Sequence, residues 1–310
     1  MNVESQIMPY KAVTRLGEGP ALVLAPHPDD EVLGCAGAIM RHLEAGDPVR
    51  VIVLTDGGGW LAAADAPRRA AYIARRREES RAAARILGYG EPLFWDYRDR
   101  ELPCDESLAQ RLVGACREFG THWLYAPSLV EMHPDHRALA LTAVEAVRRI
   151  GAPVRLAMYE IGIPLSPNRL LDISNLVERK QRAIQCFASQ LAEQDYDRHI
   201  EALNRYRTYT LPRTVQAAEA YWVVAGGAVP HKVIDPARRR RYLQWAIEGF
   251  QDEDDFARDE NDATREPECA EQDWRARYAA IVASRSWRLT EPLRRVGRYW
   301  RALARCSRPS

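Results

Sequence analysis

Five apolar runs separated by helical patterns dominate the first 160 residues: ALVLA at 21–25, VRVIVLT at 49–55, PLFW at 92–95, HWLYAP at 122–127 and VRLAMYE at 154–160. Their residues scarcely alternate between apolar and polar, which is how strands buried on both faces read. Between them, residues 32–45, 67–87, 105–119 and 135–149 carry helical patterns rich in Ala, Leu, Arg and Glu. Strands alternating with helices of this length imply βαβ units and a parallel sheet covered on both faces. The expected fold class is therefore α/β, a Rossmann-like parallel-sheet sandwich over residues 1–250.

The pattern changes after residue 160. IGIPLSPNRLLDIS reads as loop or short strands, residues 175–206 as helix, AYWVVAG at 220–226 as a strand and residues 236–250 as helix. Composition then breaks. Residues 251–273 hold eleven acids against two arginines, and residues 274–310 hold ten arginines against one acid. The acidic block is poor in apolar residues and is expected to be a mobile linker. The basic block is expected to be a C-terminal helical tail. A net charge of +1 over 310 residues offers no global polycation, so nucleic acid is not an expected partner. No run of ~18 apolar residues exists to span a membrane. The N-terminus lacks the basic-then-apolar pattern of a secretory signal, so the expected location is cytoplasmic. Six cysteines form no CxxC pair and read as reduced, structural thiols.

Chemistry concentrates at strand ends, where open parallel sheets bind ligands. PHPDDE, Pro26 to Glu31, follows the first run, and HPDH, His133 to His136, follows the fourth. Packing does not ask for a histidine and three acids directly after a buried strand. Ionised carboxylates there must be solvated, paired or bound to a cation. Together the two loops supply His27, Asp29, Asp30, His133, Asp135 and His136. Imidazole with carboxylate suits zinc or a similar divalent ion, and a catalytic zinc wants three protein ligands and one open position. A single HPD stretch would more often be a turn whose Asp caps the next helix than a ligand. Two of them at the ends of two strands are not explained by capping. Asp56, in DGGG after the second strand, either binds ligand or turns the chain. His42, His122, His199 and His231 lack partners at ligand spacing and read as surface or core residues. The ARRREESRAAAR run reads as a solvated helix face.

P-H-P-D-D-E-x-x-G-x-x-G (Pro26–Gly37), with H-P-D-H downstream, resembles the PIG-L/LmbE-like family of zinc-dependent de-N-acetylases. TDGGG, the series Arg76, Glu79, Ala83, Leu87 and Gly88, and AEAYWV (Ala218–Val223) resemble further motifs of that family, in its order. The resemblance covers roughly residues 18–225 and implies an LmbE-like fold. It also implies His27, Asp30 and His136 as ligands of one Zn2+ or another divalent metal, and Asp29 as general base. His133 is implied as the group that assists the oxyanion or protonates the leaving amine, and Arg76 and Asp99 as substrate contacts. Some members carry a mobile tyrosine two residues before the first His of the second motif; here that position is Glu131.

The chemistry agrees with these roles. A metal ion polarises an amide carbonyl and acidifies water, a neighbouring uncoordinated carboxylate accepts the water's proton, and a cationic His133 faces the developing oxyanion. The expected activity is removal of an acetyl group from an N-acetylated amino sugar. The alternatives are an amidase on another N-acyl substrate, such as a thiol conjugate or antibiotic, and a sugar-binding relic of the fold. In residues 274–310, Trp and Arg on opposite faces suit an anionic membrane surface or a polysaccharide-assembly partner, which would place the enzyme at the inner face of the membrane. The competing expectation is that this segment docks on its own domain or on the acidic block.

Overall fold

The computed structural model describes residues 8–59 and 65–228. Trp60, His231, the helix expected at 236–250, the acidic segment 251–273 and the basic segment 274–310 lie outside the described residues, and so does any partner surface on that tail. Among the described residues no helix is long and apolar enough to cross a membrane.

Eight strands form one sheet: β1 (Ala12–Val13), β2 (Ala21–Ala25), β3 (Val49–Thr55), β4 (Leu93–Tyr97), β5 (Trp123–Pro127), β6 (Arg155–Tyr159), β7 (Arg169–Asp172) and β8 (Ala218–Ala225). The helices are α1 (Asp30–Glu44), α2 (Ala66–Leu87), α3 (Glu106–Phe119), α4 (Pro134–Ile150), α5 (Val177–Ile184), α6 (Ala188–Leu191) and α7 (Tyr196–Tyr206). The strand order is β1-β7-β8-β6-β5-β2-β3-β4. β2 pairs in parallel with both β3 and β5. The chain thus winds one way through β2, β3 and β4 and the other way through β5 and β6. The reversal falls between β2 and β5, and in open α/β sheets that is where ligands bind, beyond the strands' carboxyl ends. Every residue of β2 and β5 is buried, as their apolar runs require.

Three features depart from expectation. β8 runs antiparallel to both β6 and β7, so the sheet is mixed. The helix expected over 175–206 is broken into α5, α6 and α7, because Ile184 and Phe187 turn into the core where α5 ends. β1, only two residues long, adds an edge strand beside β7.

Beneath the site, α1 packs tightly on the sheet. A Cβ on Gly34 would stand 2.2 Å from the Tyr159 ring, and one on Gly37 would stand 2.3 Å from Ile173. The helix kinks at Cys35 (φ −144°, ψ 24°), which frees backbone donors in its middle. The buried Glu219 carboxylate of β8 takes them, accepting from Gly37 N–H at 2.8 Å and Ala38 N–H at 3.0 Å. Lys180 Nζ donates to the same carboxylate at 2.7 Å.

His42 on α1 is a core residue, with Nδ1 2.8 Å from Asp47 and Nε2 2.8 Å from the Tyr125 hydroxyl. Burial holds its pKa below the ordinary value, against the upward pull of Asp47. An unfolded histidine takes up its proton near pH ~6.5. Folded His42 takes it up only at lower pH, so its stabilising contribution is complete above that range and is lost as pH falls through it. Wild-type protein should therefore lose more urea stability between pH 7.5 and 5.5 than His42→Gln does. Equal losses in the two proteins would contradict this account.

Candidate metal centre

The loop after β2 turns sharply. Asp29 has φ 144° and ψ −30°, a left-handed conformation that an L side chain rarely takes. The turn is held by Glu31, a fully buried carboxylate that accepts Asp29 N–H at 3.0 Å, Ser80 Oγ–H at 2.8 Å and Tyr89 O–H at 3.1 Å. Asp29 occupies the N-cap position of α1, yet its side chain caps nothing. Its carboxylate faces Arg76 on α2, at 3.1 Å. At the second loop the cap of α4 is His133, whose Nδ1 accepts Asp135 N–H at 3.2 Å. Neither HPD aspartate uses its side chain to cap its helix.

Three donor atoms converge between the loops. His27 Nδ1 and Asp30 Oδ2 are 3.1 Å apart, and His136 Nε2 stands 3.2 Å from each of them. Atoms bound to one tetrahedral zinc at ~2.0–2.1 Å would stand about 3.3–3.4 Å apart. The residues present therefore fit such an ion. His27, His133 and His136 also have donor atoms within 4.8 Å of one another, and so does a further grouping, His27, Asp99, His133 and Asp135. The latter uses the other face of the same imidazole, where His27 Nε2 lies 3.2 Å from Asp135 Oδ2. A ligating histidine ordinarily gives its second N–H to a carboxylate, so a metal held by His27 through Nδ1 would leave Asp135 placed to orient the ring. Asp135 is itself fixed by Arg100 N–H at 2.7 Å and Leu102 N–H at 3.2 Å. Sequence reasoning placed Asp135 among the donors and caps but did not assign it this orienting contact.

Burial disfavours the charged form of both His27 and His136, but Asp135, Asp30 and Asp99 raise His27 well above its ordinary range. The charge of Asp30 leads in raising His136 to about 9. Asp30, although buried, is held below the usual carboxylate range by His136 and His27. Asp29 differs: burial pushes its pKa up to about 7, and Arg76 pulls the other way. His133 also differs. Burial and the charges of His27 and His136 press it down to about 4. Its Nδ1 accepts a backbone hydrogen bond, which leaves Nε2 to carry the proton. These influences act against the cationic form of His133 expected from the sequence, and a neutral ring whose Nδ1 accepts would carry its proton on Nε2.

The two expected substrate contacts sit at the edge of this cluster. Arg76 is buried, its fork donating to Pro28 O at 2.6 Å and Gly57 O at 3.4 Å as well as to Asp29. Asp99 Oδ2 accepts Gly59 N–H at 2.9 Å. Its buried Oδ1 has no hydrogen-bond partner and stands 3.4 Å from His27 Nε2 and 3.8 Å from His133 Nε2. Asp56 turns the chain, accepting from Gly58 N–H, Asp99 N–H and Arg69.

An open α/β sheet that brings imidazole and carboxylate donors together at its winding reversal has the residues to hold a metal ion. Residues 22–147 match the PIG-L model, described as GlcNAc-PI de-N-acetylase. The chain is 30% identical over 189 residues to a diacetylchitobiose deacetylase of Thermococcus kodakarensis, covering 56% of this chain and 70% of that one. It is 30% identical over 195 residues to a probable N-acetyl-alpha-D-glucosaminyl L-malate deacetylase of Bacillus anthracis, covering 56% of this chain and 83% of that one. Among solved structures, the 4-carboxy-2-hydroxymuconate hydratase of Pseudomonas putida superposes with a TM-score of 0.57 at 28% identity, covering 66% of this chain and 96% of that one. The chain belongs to the PIG-L family, and its LmbE-like α/β fold is the fold of that family.

Proposed function

We propose that this chain is a zinc-dependent amidohydrolase that removes the acetyl group from an N-acetylglucosamine-containing substrate. The observation that carries the reading is the triangle of donor atoms on His27, Asp30 and His136, with the Asp29 carboxylate beside it and engaged by Arg76. The two deacetylase relatives, one named for diacetylchitobiose and one for an N-acetylglucosaminyl malate, support the substrate class.

An ion held by His27, Asp30 and His136 supplies a Lewis acid that polarises an amide carbonyl and acidifies water. The rest falls to the chain itself. Asp29 accepts the proton of the attacking water, and a pKa near the working pH suits a general base. That proton moves on to the amine nitrogen as the C–N bond breaks, while the water's oxygen stays on the acyl carbon as acetate. His133 Nε2–H donates to the oxygen that gains negative charge, the role of an oxyanion-hole donor. Arg76 keeps Asp29 oriented and ionised, and with Asp99 it borders the space where the sugar would lie. Arg76→Ala should lower kcat/KM at least tenfold with zinc content unchanged. Unaltered kinetic constants would show that its contact with Asp29 is idle.

The hydratase relative defines the competing chemistry, since a pair that activates water also serves addition to a carbon–carbon double bond. The deciding experiment incubates the zinc-loaded protein with diacetylchitobiose and with N-acetylglucosaminyl conjugates of acids, thiols and lipids. Free amine and acetate in equal amounts are expected with at least one of them. No amine from the whole panel, together with hydration of an unsaturated tricarboxylate such as 4-carboxy-2-hydroxymuconate, would replace the amidohydrolase reading.

A further inference from the structure

Glu131 stands where some family members carry a mobile tyrosine, and it does the opposite of what a mobile residue does. Its side chain is 1% exposed. Oε1 accepts Ile161 N–H at 2.8 Å and Gly162 N–H at 3.2 Å, and Oε2 accepts Gly162 N–H at 3.2 Å. The carboxylate is thereby fastened to the loop that follows β6. The same Oε2 lies 3.7 Å from His136 Nδ1. That nitrogen is buried and has no hydrogen-bond partner, while Nε2 of the same ring faces Asp30 and His27. A carboxylate that accepts so many backbone N–H groups on one side is not free to turn away. Burial leaves His136 Nδ1 facing that one carboxylate.

We infer that Glu131 is a positioning residue for the metal ligand His136: it fixes the imidazole with its proton on Nδ1 and its lone pair on Nε2, and ties that ligand to the loop at 161–163. The inference rests on the metal reading of the site. A ligating histidine whose second nitrogen faces a carboxylate is more basic and better oriented, and loss of such a partner typically weakens metal binding 10–100-fold. The His27–Asp135 pair does the same on the other side of the triangle. Each histidine of the triangle would then have its own carboxylate behind it.

The experiment is a zinc titration against a chromophoric chelator, with wild type, Glu131→Gln and Glu131→Asp, together with the melting temperature of each chelator-treated protein. Gln keeps the volume and one acceptor oxygen for the loop but loses the charge; Asp keeps the charge but draws it back by one carbon. The expected result is zinc affinity lower by about 10–100-fold in Glu131→Gln and by a smaller factor in Glu131→Asp. If Glu131→Gln does not fold, Glu131→Asp alone decides. Wild-type zinc affinity in either folded variant, with only a lowered melting temperature, would make Glu131 a loop clasp and overturn the inference. A wild-type protein that binds no zinc would overturn the metal reading, and this inference with it.

Discussion

Asp29→Ala should abolish most of the activity and leave the zinc in place. A positioned general base contributes roughly 10²–10⁴-fold, and the Asp29 carboxylate meets the requirements for one. It is buried, it is paired with Arg76 at 3.1 Å, and it lies outside the triangle formed by His27 Nδ1, Asp30 Oδ2 and His136 Nε2. Position 29 also has φ 144°, which disfavours alanine. Asp29→Asn is therefore the matched variant, because asparagine tolerates positive φ and keeps the side-chain shape while losing the basic oxygen. Both variants should retain one zinc per chain by metal analysis, with acetate release reduced at least a hundredfold. Loss of zinc in step with activity would make Asp29 a ligand.

Glu219→Ala should be the most destabilising substitution in the described part of the chain outside the apolar core. It strands a Lys180 ammonium that is 2% exposed, and it frees the Gly37 and Ala38 N–H groups at the α1 kink and the Tyr221 hydroxyl. Breaking a buried pair by removing one partner costs about 3–5 kcal/mol, because the remaining charge is uncompensated. The urea midpoint should fall accordingly. The double variant Lys180→Met/Glu219→Leu should recover part of the loss by removing the stranded charge. A loss below about 1 kcal/mol in Glu219→Ala would show that water or a rearranged helix takes over these contacts.

The parts of the fold that sequence made legible are those in which one physical demand dominates. β2, β3 and β5 are buried on both faces, so their apolar runs mark them within a residue or two. β1 has only two residues and is held by pairing with β7, a long-range contact with no local signal. The direction of β8 is likewise set by its neighbours, since antiparallel and parallel central strands share the same apolar pattern. The breaks between α5, α6 and α7 come from tertiary packing around Phe187, which overrides helix propensity. At the site, residue types and spacing placed His27, Asp30, His133 and His136 at the right strand ends. They did not reveal that the Arg76 fork turns inward, that Asp135 backs His27, or that His133 spends Nδ1 on the α4 backbone. Each of these depends on which atom of a side chain faces which neighbour, and spacing along the chain carries no such information.

On the reading proposed above, a metal held by His27, Asp30 and His136 makes this chain an N-acetyl hydrolase. The most direct test of that reading is acetate release from an N-acetylglucosaminyl conjugate by chelator-treated protein as zinc is added back, in wild type and in His136→Ala. The account predicts that wild-type activity is absent after chelation and returns in proportion to zinc bound, reaching its plateau at one ion per chain. It predicts that His136→Ala neither binds that ion nor regains activity. Full acetate release from the chelator-treated protein, or zinc-restored activity in His136→Ala, would contradict it.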